Sequence, residues 1–325
     1  MNIGITFDLR ADYLAKGFSP EETAEFDAPD TIDAIDATLR SLGHSTDRIG
    51  GIKELVARLA AGARWDLVFN YAEGMFGLGR EAQVPALLDA FEIPYTFSDA
   101  SVMALGLDKG LTKHVVRDLG LRTPPFTVLR EASDVEQVSM PFPLFAKPVG
   151  GGSSVGVSAA SRVTSLDELR RVYADLRARF HQPVIVEAFM PGRDLTVGVL
   201  GTGASARAIG VLEVLLSKHA EPHGYSYRNK QDWVGKVSYR IASDAAAAEA
   251  REMALHIWRS IGARDGGRLD FRCDSDGRPS FLECNPIAGL HEVSDLIVLA
   301  DNVGLSREYV IEQIVASAVA RMHAS

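Results

Sequence analysis

The densest chemistry in the chain lies in Arg268-Leu-Asp-Phe-Arg-Cys-Asp-Ser-Asp-Gly-Arg-Pro-Ser-Phe-Leu-Glu-Cys-Asn285. Asp274-Ser-Asp-Gly277 is turn chemistry, so two antiparallel strands should flank it. A constant register then sets Arg268 opposite Asn285 and Asp270 opposite Glu283. Side chains alternate faces with period two, so these four share one face. Leu269, Phe271, Leu282 and Cys284 are expected on the other, packed on a core. Two carboxylates and an amide oxygen, without histidine or thiolate, suit a hard cation such as Mg²⁺. Magnesium fills its shell with waters and substrate phosphates, which makes a nucleotide the natural partner. An ordinary hairpin of this pattern is a solvated face with a cross-strand ion pair. The neighbouring Pro286–Gly289 segment, itself site-like, favours the functional reading.

A second segment, Lys147-Pro-Val-Gly-Gly-Gly-Ser-Ser-Val-Gly156, follows the apolar run Leu144–Ala146. Successive backbone N–H groups in glycine-rich turns form anion-binding concavities. Ser153 and Ser154 add hydroxyl donors, and Lys147 can neutralise a phosphate. No Gly-Lys-Ser/Thr follows, so this is not a P-loop, and a strand rather than a helix is expected after it. A flap between two strands, closing over phosphates, fits better than a flexible hairpin tip. His219 and His223 are four apart, but in a loop containing glycine and proline, which argues against a helical metal pair. Cys284 reads as a packed thiol rather than a nucleophile.

Around these segments the chain reads as α/β. Its 325 residues carry 43 acids against 34 bases, a net charge of −9. That balance argues against a general nucleic-acid or membrane-surface binder, since both targets are polyanions. Two cysteines exclude a disulfide scaffold and suit a reducing compartment. The first residues, MNIGITFDLRADY, lack a signal-peptide core, and no run approaches the roughly 20 apolar residues of a membrane span. A cytoplasmic protein is expected. Residues 1–107 alternate strand and helix signals (Asn2–Phe7, Thr31–Leu42, Leu67–Phe69, Glu81–Phe91), the pattern of an open parallel sheet whose strand ends hold ligands. Residues 108–187 form a second unit. It contains a helix over Asp108–Leu119, strands at Phe126–Leu129, Leu144–Lys147, Val155–Ser158 and Val184–Glu187, and a helix from Ser165 to Phe180 opened by the box Ser165-x-x-Glu168. Residues 188–325 form a third unit, with strands Leu195–Leu200 and Ala208–Leu216, a helix over Asp244–Ile261, the hairpin, and a final helix after Ser306.

Taken together, Ile93-Pro-Tyr-Thr-Phe-Ser98, Leu107-Asp-Lys-Gly-Leu-Thr-Lys113, the glycine-rich segment, Val184-Ile-Val-Glu187 with Pro191-Gly-Arg-Asp-Leu-Thr-Val-Gly198, and Glu283-Cys-Asn-Pro-Ile-Ala-Gly289 resemble the D-alanine–D-alanine ligase group of the ATP-grasp superfamily. The resemblance spans about residues 65 to 300. It implies an N-terminal open α/β domain followed by two α+β subdomains that clasp ATP. Lys109 and Lys147 are then the phosphate lysines, Ser153 and Ser154 the flap donors, and Lys230 the loop lysine that reaches the γ-phosphate. Glu187, Met190 and Asp194 fall on the adenine and ribose side. Asp270, Glu283 and Asn285 match the ligands of two magnesium ions, with manganese as a substitute. Arg268, Ser153 and Lys230 match catalytic positions, and Gly289 and Ser294 the site of the second substrate's carboxylate. A homodimer is the analogous assembly.

The substrate side departs from the group's pattern. No residue matches the glutamate expected soon after the first strand, where Phe7–Tyr13 and an acidic loop with Glu21, Glu22, Glu25 and Asp27 stand instead. The His-Gly-x-x-Gly-Glu-Asp-Gly element is replaced by Phe69–Gly77 with Arg80 and Glu81, and Gln231 replaces a tyrosine. Glu73 and Arg80 are the candidate replacement contacts, against the alternative that Arg80 and Glu81 simply start a helix. The expectation is an ATP-dependent carboxylate–amine ligase acting through an acyl phosphate on amino-acid-like substrates. Its rivals are a true D-alanine–D-alanine ligase and a non-catalytic nucleotide-binding module.

Overall fold

The structure, a computed structural model, describes residues 1–221 and 226–323. Three sheets organise it. The first is parallel, with β1 (Asn2–Phe7) between β2 (Ser45–Gly50) and β3 (Leu67–Tyr71). Helices α1 (Arg10–Ala15), α2 (Pro29–Ser41) and α3 (Ile52–Ala60) lie between these strands, and α4 (Gln83–Ala90) and α5 (Ala100–Leu107) follow them. The period of two sorts β3. Leu67, Phe69 and Tyr71 join Ile32, Ile35 and Leu39 of α2, while Val68 joins Leu55 and Leu59 of α3 and Leu88 of α4. Both faces are therefore covered, as a parallel sheet requires. The short run Ile93–Thr96 extends this sheet through Val68 N to Pro94 O (2.8 Å) and Thr96 N to Val68 O (2.9 Å).

Helix α6 (Lys109–Asp118) leads into a four-stranded antiparallel sheet. Its strands are β4 (Phe126–Leu129), β5 (Leu144–Pro148), β6 (Arg162–Val163) and β7 (Val184–Ala188), in the order β4-β7-β5-β6. Helix α7 (Leu166–Phe180) covers it with Leu169, Tyr173 and Leu176. The third sheet is also antiparallel. It contains β8 (Asp194–Leu200), β9 (Arg207–Leu216), β10 (Val237–Ile241), β11 (Gly266–Cys273) and β12 (Pro279–Asn285), in the order β10-β9-β8-β11-β12. Helix α8 (Tyr227–Gln231) precedes β10. Helix α9 (Ala245–Ser260) packs Met253, Ile257 and Trp258 against Leu269 and Phe271, and α10 (Asp295–Asn302) and α11 (Arg307–Met322) end the chain. Among the described residues no helix is long and apolar enough to cross a membrane.

Several sequence expectations need correction. Strand β2 carried no signal, because only Ile49 of Ser45–Gly50 is buried at this sheet edge. Helix α5 was missed. It is capped by the Asp99 carboxylate, which accepts from Ser101 N and Val102 N, both at 3.1 Å. The strand expected at Val155–Ser158 does not form. Ser153 and Ser154 adopt φ of +49° and +55° and Gly156 +74°, a left-handed run incompatible with extended backbone. The sheet resumes only at β6. The helix expected over Glu81–Phe91 splits into a 3₁₀ turn, Arg80–Ala82, and α4. At α7, Ser165 caps as expected, but Glu168 accepts from Thr164 N at 2.6 Å rather than from Ser165.

Candidate active site

The site is built first from three neighbouring strands. Arg268 faces Asn285 and Asp270 faces Glu283 across β11 and β12, the register expected from sequence. On the other side of β11, Asp270 faces Thr196 and Arg272 faces Asp194. A bulge between Asp270 and Phe271 changes the rest of the hairpin. Phe271 pairs with Phe281, which is fully buried, whereas Leu282 turns towards the cleft. The sequence reading had placed Leu282 on the core face. The extra residue reverses its direction. Cys284 packs in the core at 2% exposure, and burial pushes its thiol well up.

The polar row is tightly partnered. Thr196 Oγ1 donates to Asp270 Oδ1 at 2.8 Å, Arg268 pairs with Asp270, and Lys109 Nζ lies 3.4 Å from Glu283 Oε2. Burial and the facing Glu283 push Asp270 up to about 6 against the pull of Arg268. Burial alone would raise Glu283 too, but Lys109, Lys147 and Arg268 prevail and hold it well below the usual range. Two carboxylates on facing strand positions, with the Asn285 amide beside them (Nδ2 donates to Asp270 Oδ2 at 3.2 Å), offer oxygen ligands that fit a hard divalent cation. Asp295, at the start of α10, completes the row 3.5 Å from Arg268 and 3.9 Å from Lys230. Sequence reasoning missed Asp295, although its place next to Ser294 was a signal.

Asp108 caps α6 through Leu111 N (2.9 Å), which sets Lys109 in the first turn and Lys113 one turn later on the same face. Glu187, 3% exposed, pairs with Lys113 at 2.6 Å and with Lys147 at 2.8 Å. Burial would raise its carboxyl, yet the two ammonium groups hold it at about 2. Lys113 also donates to Thr123 Oγ1 and Phe281 O, at 2.9 and 3.0 Å. It was missed as a site residue, though its spacing from Lys109 was legible. Lys147, Glu187 and Met190 share a small recess with Phe145, Phe189, Leu282 and Arg272. The Arg162 and Arg272 guanidinium groups lie 5.0 and 5.4 Å from the Phe189 ring centre, and Arg272 pairs with Asp194 at 3.4 Å.

Two cavities meet here. One, of about 120 Å³, is lined by Lys147, Ser154, Asp194, Lys230 and Asp270. The other, of about 310 Å³, is lined by Ser153, Asn285, Gly289, Ser294 and Glu73. Lys109, Arg268 and Glu283 line both, so they form the shared wall. Ser294 occupies the N-cap position of α10, but its hydroxyl makes no capping bond. A methyl group built on Gly289 would lie 2.5 Å from that hydroxyl. This places Gly289 and Ser294 side by side. The hydroxyl and the helix N-terminus together can receive a carboxylate.

The acidic loop, to which sequence gave no role, reaches the flap. Glu25 accepts from Gly152 N, Glu21 from Gly156 N (3.3 Å), and Glu21 pairs with Arg179. Tyr227 of α8 donates to Pro20 O at 3.2 Å and to Val157 O through its backbone N at 3.3 Å. Arg80 was expected to line the substrate cavity and does not. The 3₁₀ turn sends it to Glu25, at 2.6 Å, and Glu81 lines the cavity instead. His223 lies outside the described residues, as does the side chain of Gln231.

A parallel α/β unit followed by two antiparallel sheets that enclose a lysine-lined cleft is the arrangement of ATP-grasp ligases. A crystal structure of D-alanine–D-alanine ligase from Bacillus anthracis in complex with ATP matches 100% of both chains at a TM-score of 0.74 and 19% identity. VanG D-Ala:D-Ser ligase from Enterococcus faecalis matches 98% of this chain and 99% of its own at a TM-score of 0.73 and 20% identity. The family model described as D-ala D-ala ligase C-terminus matches residues 115–316. D-alanine–D-alanine ligase from Bordetella petrii is 34% identical over 294 residues, 89% of this chain and 84% of that protein. The corresponding ligase from Aquifex aeolicus is 34% identical over 284 residues, 87% and 92% of the two chains. The chain belongs to the D-alanine–D-alanine ligase family of ATP-dependent, carbon–nitrogen bond-forming ligases.

Proposed function

We propose that this enzyme joins the carboxylate of one amino-acid-like substrate to the amine of another, with ATP cleaved to ADP and phosphate. The observation that carries this is the shared wall. Lys109, Arg268 and Glu283 border both the lysine-lined cavity and the larger one, so a phosphoryl group on one side adjoins a carboxylate on the other. In this reading residues 1–107, 108–187 and 188–325 act as three units around one cleft.

A carboxylate oxygen takes the γ-phosphoryl group, giving an acyl phosphate and ADP. The amine then attacks the acyl carbon, loses a proton, and phosphate departs with the electrons of the broken C–O bond. Lys109, Lys147 and Lys230 neutralise the transferred charge, and Glu187 keeps the Lys147 ammonium in place. Glu187, Met190 and Asp194 border the base and sugar. Arg268 stabilises the oxyanion of the tetrahedral intermediate. Ser153, Ser154 and the flap amides cover the phosphates and exclude water, which would hydrolyse the acyl phosphate. Gly289, Ser294 and the start of α10 hold the second carboxylate. Asp270, Glu283 and Asn285 would hold magnesium, which supplies charge neutralisation across the phosphates when bound. The two buried free thiols suit a reducing cytoplasm.

Arg268→Lys keeps the charge but loses the planar fork. It is expected to lower kcat about 10²-fold with little change in the KM for ATP, as read by steady-state phosphate release. An unchanged kcat would remove Arg268 from the chemistry. The substrates themselves are tested by phosphate release against D- and L-amino acids with product mass. A second reading, D-alanyl-D-alanine synthesis, is favoured by the names of the relatives. D-Ala-D-Ala as the sole efficient product would establish it.

A further inference from the structure

The cavity of about 310 Å³ has a surplus of acid that neither the nucleotide nor the metal ligands explain. Glu25, Glu73 and Glu81 each place a carboxylate oxygen within 4.8 Å of the other two. Glu25 is satisfied by Arg80 and by Gly152 N. Of the cations that line the cavity, Lys109 is engaged by Glu283 and by Gly151 O, Arg268 by Asp270 and Asp295, and Arg10 donates to Thr23 Oγ1 and Pro20 O. Glu81 is only 7% exposed, faces the cavity, and makes no hydrogen bond or ion pair among the described residues. Glu73 lines the same cavity, equally without such a partner among those residues. A third acid, Asp27, stands on the same wall, and burial beside Asp8 pushes it up to about 8. Burial, opposed by Arg80, likewise raises Glu81 to about 7, and burial next to Glu81 raises Glu73 well above its usual range.

Buried carboxylates without partners are costly unless a proton or a cation joins them. An ammonium group brings three donors and no acceptor. With hydrogen bonds of about 2.8 Å at tetrahedral angles, it holds its acceptors about 4.6 Å apart, which falls inside the 4.8 Å limit within which these oxygens lie. The α-ammonium group of an ordinary amino acid can answer one acidic station. This cavity offers two, Asp27, which already accepts from the Tyr71 hydroxyl, and the Glu73–Glu81 pair.

We propose that the amino acid whose carboxylate is activated is a diamino acid, with its second ammonium group received by Glu81 and Glu73. The proposal rests on the ligase reading above. Its test uses wild-type enzyme with magnesium and ATP, and isosteric pairs that differ only in the terminal cation: ornithine against norleucine, and 2,4-diaminobutyrate against norvaline, each in both chiralities, with alanine alongside. Phosphate release and product mass are followed. A KM at least about 10-fold lower for the cationic member is expected, the size of a hydrogen bond to a charged group. Glu81→Gln should raise the KM for the cationic member about 10-fold and that for its neutral isostere less than about 2-fold. Equal or better use of the neutral member overturns the proposal, as does a Glu81→Gln variant that weakens both alike. If the variant does not fold, the wild-type pairs alone decide. Turnover with alanine but no preference for a cation would sink this proposal and leave the ligase reading standing. ATP binding with no phosphate release for any amino acid would sink both.

Discussion

Glu283→Ala is expected to reduce magnesium–ATP turnover at least about 10³-fold while the protein stays folded. Glu283 faces Asp270 across the hairpin and is held ionised by Lys109, Lys147 and Arg268. It is therefore the carboxylate best prepared for a divalent cation, and it stands on the wall common to both cavities. The variant loses a proposed metal ligand and the anchor of Lys109 together. Its side chain is 21% exposed to the cleft, so its removal takes little from the core. Phosphate release at saturating ATP, with thermal unfolding as the control, measures both halves. Full turnover in a folded variant would remove the hairpin from the site.

Glu187→Leu is expected to destabilise the protein by about 3–5 kcal/mol, because it leaves the ammonium groups of Lys113 and Lys147 buried without their carboxylate. Urea unfolding reads this loss, and a change in unfolding free energy below about 1 kcal/mol would contradict the pairing. The effect has a sign in pH. The Glu187 carboxyl sits at about 2 in the folded protein against about 4.3 in an unfolded chain. Its contribution is fully present above the unfolded value and is lost as pH falls through about 2. Wild type and variant should therefore converge in stability in strong acid and differ most above pH 5.

The register of β11 and β12 could be read from sequence because a strong turn and a period of two fix it within a residue. Lys147 was legible because it stands at the end of a strand; Lys109 and Lys230 came from the family resemblance, and Lys113, in the middle of α6, was missed. What could not be read was local and depended on the third dimension. The bulge after Asp270 adds one residue without any marker in the sequence, and it sends Leu282 to the cleft and Phe281 to the core. Two serines in left-handed backbone erased a strand that Val155–Ser158 would otherwise favour. The acidic loop carries charge without periodicity, so only the fold shows that Glu25 reaches Gly152 and Arg80. Arg80 and Glu81 adjoin in sequence, and a 3₁₀ turn decides which of them lines the cavity.

The most direct test follows oxygen. An amino-acid substrate that supports turnover, labelled with ¹⁸O in its carboxylate, is converted in unlabelled water and the phosphate is weighed. Activation through an acyl phosphate moves one carboxylate oxygen into phosphate for every amide bond formed, so one ¹⁸O per phosphate is expected. Amide product with unlabelled phosphate would contradict that activation.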